Sequence, residues 1–301
     1  MRQNPVYIDS MSSSTLKQRA LAGYEMLANC CGCAWKCGVN RLHGERGKCQ
    51  TGSRARVTGF GAHLGEERPL RGTRGSGTIF ISRCNLFCQY CQNHDISQKS
   101  TGDEVEPEEL ATIMLRLQEV GCHNINLVSP SHVVGQLLAA ISIAAAAGLR
   151  LPIVYNTGGY DSLESLHLLD SIIDIYLPDM KYDNPLIAEK YSRIPDYPQV
   201  NRAAVKEMHR QVGNLWIDSD GLAVRGLLVR HLVLPNRLAG TEGIVNFLAQ
   251  EISPNTFLNL MDQYRPEYKS HHLPEINRPI NSPEFKEAVR MAQQAGLFRL
   301  N

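Results

Sequence analysis

Six short apolar runs, separated by segments of helix length, restrict this chain to architectures built on a parallel sheet. The runs are Thr78–Ser82, Asn124–Val128, Pro152–Tyr155, Ile172–Leu177, Gly226–Leu234 and Phe257–Met261. Each is short and greasy enough for a strand covered on both faces. Helical patterns fill the gaps at 106–120, 132–148, 161–169, 184–213 (with a break at Pro195 and Pro198) and 239–250, and a last one follows at 282–296. Glu106-Pro107-Glu108-Glu109 and Ser282-Pro283-Glu284 open two of them with proline early and acids in the first turn, which suits the free N–H groups and the dipole there. Parallel strands need such crossovers, so the fold class is α/β. Periodicity alone leaves an open doubly wound sheet and a full or partial barrel both standing. In either, chemistry belongs at the carboxyl ends of the strands.

The amino-terminal third reads differently. A helix at 12–29 has Ser12, Ser13 or Ser14 available as its cap, and a short Gly-, Arg- and Lys-rich stretch with five cysteines follows. Six glycines between 54 and 78 predict hairpins and turns. The expected divisions are residues 1–53 as an amino-terminal helix and cysteine-rich metal module, 54–78 as a linker or hairpin region, and 79–301 as the strand–helix domain.

Charge excludes some classes of partner. The formal net charge is +1, so neither nucleic acid nor an anionic membrane is an expected partner. Met1 to Leu27 has no apolar core of signal-peptide length, and the greasy stretch Val133–Leu149 is interrupted by Gly135, Gln136, Ser142 and Gly148. A cytoplasmic protein is the expectation.

Eight of the nine cysteines fall in two groups: Cys30, Cys31, Cys33, Cys37 and Cys49, then Cys84, Cys88 and Cys91; Cys122 stands apart. Clustering of this kind in a cytoplasmic chain points to metal or redox ligands before disulfides. The second group has C-x3-C-x2-C spacing directly after the first strand. Three thiolates on one loop can take three irons of a cubane cluster and leave the fourth open to a ligand. A zinc knuckle would need a fourth ligand, for which His94 is the nearby choice. The first group, Cys30, Cys33, Cys37 and Cys49, with Cys31 as substitute for Cys30, makes a four-thiolate set. Zinc as a staple, a second iron–sulfur cluster and free thiols all fit it. Trp35, Lys36 and Arg41 could pack this module against the main domain.

The spacing of Cys84, Cys88 and Cys91, with Tyr90 before the last, resembles the radical S-adenosylmethionine superfamily. That resemblance implies a partial (β/α)6 TIM-type barrel, a [4Fe-4S] cluster and S-adenosyl-L-methionine chelated to its open iron. It also implies cleavage to a 5′-deoxyadenosyl radical that abstracts hydrogen, with an electron donor such as flavodoxin or ferredoxin. Residues 79–261, Gly75-Ser76-Gly77-Thr78-Ile79-Phe80 and Cys91-Gln92-Asn93 resemble the pyruvate formate-lyase activating-enzyme branch. Its less characterised relatives also share Cys33-x3-Cys37-Gly38-Val39-Asn40-Arg41 and Gly44-Glu45-Arg46-Gly47-Lys48-Cys49. The closest functional analogy is an activating-enzyme-like oxidoreductase acting on a glycyl site of a partner protein; a small-molecule substrate is the alternative.

On this resemblance Asn156, Thr157, Asp179 and Lys181 neighbour the cofactor, with Lys181 meeting its carboxylate, and Tyr90 and Gln263 join them; Tyr264 is a neighbour of the same kind. Arg230 or His231, one of the two by strand alternation, faces inward. Many members carry Gly-Gly-Glu after the second strand to receive the cofactor's amino group. Here Val128-Ser129-Pro130-Ser131-His132 stands instead, so Ser129 and Ser131 are the polar candidates, and His132 is either a site group or an ordinary helix-start residue. The segment His63-Leu64-Gly65-Glu66-Glu67-Arg68-Pro69 either borders the substrate opening or forms a solvated turn. A non-catalytic iron–sulfur or zinc protein is the rival class, against which six strand–helix units with polar strand ends speak.

Overall fold

All six apolar runs become parallel strands. The computed structural model describes residues 4–301, so the first three residues of the expected amino-terminal module lie outside the described part. In chain order the strands are β1 (Ala55–His63), β2 (Ser76–Ile81), β3 (Asp103–Val105), β4 (Ile125–Val128), β5 (Ile153–Thr157), β6 (Ile175–Pro178), β7 (Trp216–Ile217), β8 (Ala223–Leu232) and β9 (Phe257–Met261). Strands β2, β4, β5, β6, β8 and β9 run parallel in that order, while β1, β3 and β7 add antiparallel edges. The chain is therefore an α/β protein with the mostly parallel sheet of a partial TIM-type barrel.

Strand alternation sorts the side chains into two cores. Ile125, Leu127, Ile153, Tyr155 and Tyr176 face outward and meet Leu110, Met114, Leu137 and Ile141 from the covering helices. Val154, Ile175, Leu177 and Leu228 face the barrel interior, where Leu70 joins them. Each such fully buried aliphatic side chain contributes about 2 kcal/mol by leaving water.

The helices start and stop where local chemistry says they should. Ser12 caps Ser13–Glu25 by accepting the Thr15 N–H at 3.1 Å. Asn281 and Glu284 form a reciprocal capping box on Ser282–Gln294. The expected helix 184–213 is two helices, Pro185–Ser192 and Tyr197–Val212, because Arg193 takes a left-handed conformation (φ 58°) that ends the first. The helix Ser13–Glu25 crosses Val134–Ala146 at two glycines. A Cβ on Gly135 would lie 2.3 Å from the Gly23 carbonyl oxygen, so this close approach requires glycine.

Residues 54–78 do more than link. β1 pairs with β2 as the predicted hairpin, and the short helix Arg68–Arg71 then plugs the barrel. Leu70 is fully buried in the interior, and the Asn124 amide donates to its carbonyl at 2.8 Å. No helix among the described residues is long and apolar enough to cross a membrane.

His231 faces out of the barrel and is fully buried. Its Nδ1 lies 2.6 Å from the Met180 carbonyl and its Nε2 2.9 Å from the Thr241 hydroxyl. A carbonyl can only accept, so Nδ1 carries the proton and Nε2 accepts from Thr241 in the neutral ring. Burial pushes its pKa down to about 4. The unfolded imidazole gains a proton near pH 6.5, roughly, whereas the folded one waits until lower pH, so folding stability falls as pH drops between the two values. The size of this loss is on the order of 3 kcal/mol. His231→Gln should flatten the pH dependence of the urea midpoint between about pH 6.5 and 4; the flattening is partial, because His132, pushed down to about 3 by burial, contributes a similar slope. An unchanged slope would contradict this account.

Candidate active site

Register brings the strand ends level. Phe80 pairs with Val128, Val128 with Asn156, and Asn156 with Leu177. Just past this row the chain turns sharply, with Arg83 and Ser129 both in the left-handed region (φ 69° and 60°). Backbone strain of this kind tends to collect at functional sites. The Ser129 N–H donates to the Asn156 carbonyl at 2.9 Å, which fixes one turn to its neighbour.

The loop carrying Cys84, Cys88 and Cys91 starts here and is tied down along its length. The Asn85 amide donates to the Tyr160 carbonyl at 2.7 Å, the Gln89 N–H to the Tyr191 carbonyl at 2.8 Å, and the Trp35 indole N–H to the Asn85 carbonyl at 2.7 Å. All three cysteines line one cavity of about 1150 Å³ at the carboxyl ends of the strands. The sulfurs have polar neighbours: the Leu86 N–H at 3.4 Å and the Asn85 side-chain oxygen at 3.9 Å on Cys84, the Ser192 hydroxyl at 3.1 Å on Cys88 and the Ser97 hydroxyl at 3.2 Å from Cys91. Burial pushes the Cys84 thiol up to about 12 and raises that of Cys88, so metal binding there must displace protons.

Among the described residues no three His, Cys, Asp or Glu side chains are gathered tightly enough for a single metal ion. A cubane cluster takes each thiolate at a different iron and needs no such convergence. His94 does not supply a fourth ligand: its ring stacks on Tyr268 at 5.0 Å and is not on the cavity wall. The donor set would suit a [4Fe-4S] cluster held at three of its irons by Cys84, Cys88 and Cys91.

Asp179 and Lys181 line the same cavity, paired at 2.6 Å. Burial works against the Lys181 ammonium, yet the Asp179 carboxylate outweighs it and holds the pKa well above the ordinary lysine value. The backbone beneath this pair is clamped from the helix Tyr197–Val212. The Tyr197 hydroxyl accepts the Lys181 N–H at 3.1 Å and faces the carbonyls of Gly158 and Asp179 at 2.9 and 3.0 Å. Asn201 donates to the carbonyls of Gly159 and Asp179. Gly159 has φ 78°, and a Cβ there would fall 2.2 Å from the Asn201 amide; only glycine fits.

Of the residues expected from sequence, Ser129, Asn156, Thr157, Asp179, Lys181 and Gln263 line the cavity, whereas Ser131, Tyr90 and Tyr264 lie behind its wall. Ser131 is buried with its hydroxyl 2.8 Å from that of Thr157, which donates to Asp161 at 2.6 Å. These hydroxyls brace the wall. Tyr90 is packed edge-on between Tyr182 and Tyr264. His132 is also behind the wall, with Nε2 3.1 Å from the Ser82 carbonyl. Cys30, Cys33, Cys37 and Cys49 sit apart from the cavity, on the far side of Trp35.

A further part of the wall joins two expected elements, Arg230 and the segment 63–69, of which His63, Gly65, Glu66, Glu67 and Arg68 line the cavity. Arg230 is the inward-facing member of its pair and makes a two-pronged ion pair with Glu67, at 2.7 Å on each prong, and a further one with Glu66 at 2.5 Å. Asn259 of β9 also donates to Glu67 at 2.7 Å. Burial opposes ionisation of Glu67, but the Arg230 hydrogen bonds prevail and its carboxyl titrates below the usual range. The sign of a hidden role was there for Asn259, a polar residue inside the apolar run Phe257–Met261. Removing one partner of a buried ion pair strands the others, so Arg230→Met should lower the unfolding free energy at pH 7 by roughly 3–5 kcal/mol in urea melts. The deficit should shrink toward pH 4 as the stranded carboxylates take up protons; a loss under about 1 kcal/mol at pH 7 would show the cluster to be solvated.

Comparison with known proteins agrees with this geometry. The family profile described as the Radical SAM superfamily matches residues 78–214. An uncharacterized protein of Methanocaldococcus jannaschii is 33% identical over 277 residues, which cover 89% of this chain and 75% of that protein. The fold is similar to a radical SAM methyltransferase from Sphaerobacter thermophilus (13% identity, TM-score 0.50, 74% of this chain and 65% of that one). It is similar also to the FeFe-hydrogenase maturase HydG from Carboxydothermus hydrogenoformans (14% identity, TM-score 0.51, 73% of this chain and 50% of that one). The chain thus spans about two thirds and one half of those two structures, which share its fold. With the profile over residues 78–214, the three-cysteine loop and the barrel in agreement, the chain carries a radical SAM superfamily domain.

Proposed function

We propose that Cys84, Cys88 and Cys91 hold the [4Fe-4S] cluster and that the chain reductively cleaves S-adenosyl-L-methionine for hydrogen abstraction. The observation that carries this reading is one cavity lined both by the three thiols and by a partly buried ammonium–carboxylate pair. In this superfamily the cluster and cofactor together supply the 5′-deoxyadenosyl radical. The chain's own residues supply placement. Lys181 offers a partly buried positive charge to a carboxylate, and Asp179 keeps that charge in place. Asn156, Ser129 and Gln263 provide the uncharged hydrogen-bonding edge. Ser129 stands on the turn where many relatives have Gly-Gly-Glu, so the amino group of the cofactor is received by neutral groups and backbone, without a carboxylate at that turn.

The finer assignment is to the pyruvate formate-lyase activating-enzyme-like branch, supported by the Asp179-Met180-Lys181 segment and by Tyr155-Asn156-Thr157-Gly158-Gly159. The reductant is a one-electron donor of the flavodoxin or ferredoxin class. The cavity mouth admits either the glycyl loop of a partner protein or a small molecule, and the glycyl reading rests on the motif resemblance.

Anaerobically reconstituted protein, reduced and given S-adenosyl-L-methionine, should form 5′-deoxyadenosine and methionine. Cys84→Ala, Cys88→Ala or Cys91→Ala should abolish both products, and product at the level of a cluster-free control in the unaltered protein would end this reading. Lys181→Met should raise the KM for S-adenosyl-L-methionine by about tenfold to a hundredfold, the worth of one charge-assisted contact. Deuterium transfer into 5′-deoxyadenosine from a labelled glycyl protein or a labelled metabolite pool identifies the substrate.

A further inference from the structure

We infer that Ser192 and Ser97 are positioning residues that set the reduction potential of the site, each donating its hydroxyl hydrogen to one of the cysteine sulfurs. The inference rests on the reading of Cys84, Cys88 and Cys91 as holders of a [4Fe-4S] cluster. Ser192 is fully buried, with its hydroxyl 3.1 Å from the Cys88 sulfur. Ser97 lines the cavity, with its hydroxyl 3.2 Å from the Cys91 sulfur. A metal-bound thiolate has no proton to give, so in both pairs the hydroxyl is the donor.

Each hydroxyl is backed by a second group that leaves its proton free for sulfur. The Tyr182 hydroxyl lies 2.8 Å from Ser192 Oγ, and both residues are buried. With the Ser192 proton directed at Cys88, Tyr182 must give its own to Ser192 Oγ. On the other side the Gln98 amide donates to Ser97 Oγ at 3.1 Å and to the Leu86 carbonyl at 3.2 Å. An amide N–H cannot accept, so Ser97 also keeps its proton for sulfur. Hydrogen bonds linked in this way polarise one another, and they gain strength where water is excluded.

Local structure holds both serines in place. Ser192 is the last residue of the helix Pro185–Ser192, and the Gln89 N–H ties the cysteine loop to the carbonyl of the adjacent Tyr191 at 2.8 Å. Ser97 ends the short helix His94–Ser97, in which the Ile96 carbonyl accepts the N–H of Arg83 at 2.9 Å, one residue before Cys84. An added electron makes the sulfurs more negative, so a hydrogen bond donated to sulfur stabilises the reduced state more than the oxidised one. The two serines therefore ease the uptake of an electron from a one-electron donor.

Full-length protein reconstituted anaerobically with ferrous iron and sulfide is poised at a series of potentials. The quantity followed is the electron-paramagnetic signal of the reduced cluster that the triple variant Cys84→Ala, Cys88→Ala, Cys91→Ala lacks. Ser192→Ala and Ser97→Ala should each lower the ratio of reduced to oxidised cluster at a fixed potential about tenfold, a fall in midpoint of about 59 mV for one electron. Tyr182→Phe, which keeps the ring and removes the backing hydroxyl, should shift the midpoint the same way by less. Midpoints unmoved in both serine variants, with the signal intact, overturn the inference and leave the proposed function standing. Absence of that signal from the unaltered protein overturns the cluster assignment and this inference with it. If Ser192→Ala does not fold, Ser97→Ala and Tyr182→Phe decide.

Discussion

Parallel register is the constraint on which the remaining structure depends. Because Phe80, Val128, Asn156 and Leu177 are paired in one row, four separate strands stop at the same height. The residues just beyond that row then face one another without any special arrangement of their loops. A slip of one residue in β5 would turn Asn156 into the outer core and Tyr155 into the cavity. Alternation protects against this: Ile153, Tyr155 and Leu127 have an apolar helix layer to meet on one side only.

Precision at the ends of those strands comes from groups that never reach the cavity. Asp161 accepts the hydroxyls of Tyr155 and Thr157, and Ser131 completes the chain. Tyr197 and Asn201 hold the three carbonyls of Gly158, Gly159 and Asp179. Such supporting hydrogen bonds orient the groups that do touch a ligand, as outer-shell partners do around metals. They also explain Gly159, where a side chain would collide with the clamp, whereas one on Gly158 would meet Leu86 of the cysteine loop.

Much of this was legible from the residues. The six strands announced themselves as apolar runs, because a strand buried on both faces has no polar side to blur the signal. The three-cysteine loop was legible because its spacing is local. The uses of Ser131 and Tyr90 were not, since strand ends show which residues are near a site without showing which way a hydroxyl turns. For Glu66 and Glu67 the place at the opening was legible beside the alternative of a solvated turn. Their pairing was not, because their burial depends on Arg230, more than 160 residues further along the chain. Pairing at that range leaves no periodic trace.

The same pair of acids has a mechanical meaning. Six strands do not close a cylinder, and the sheet has two free margins, one near β2 and one at β9. Glu66 and Glu67 belong to the segment entering β2, while their partners Arg230 and Asn259 belong to β8 and β9. The contact is therefore a clasp across the seam of a split cylinder. The width of the cavity at that seam is thus set by charge as well as by packing.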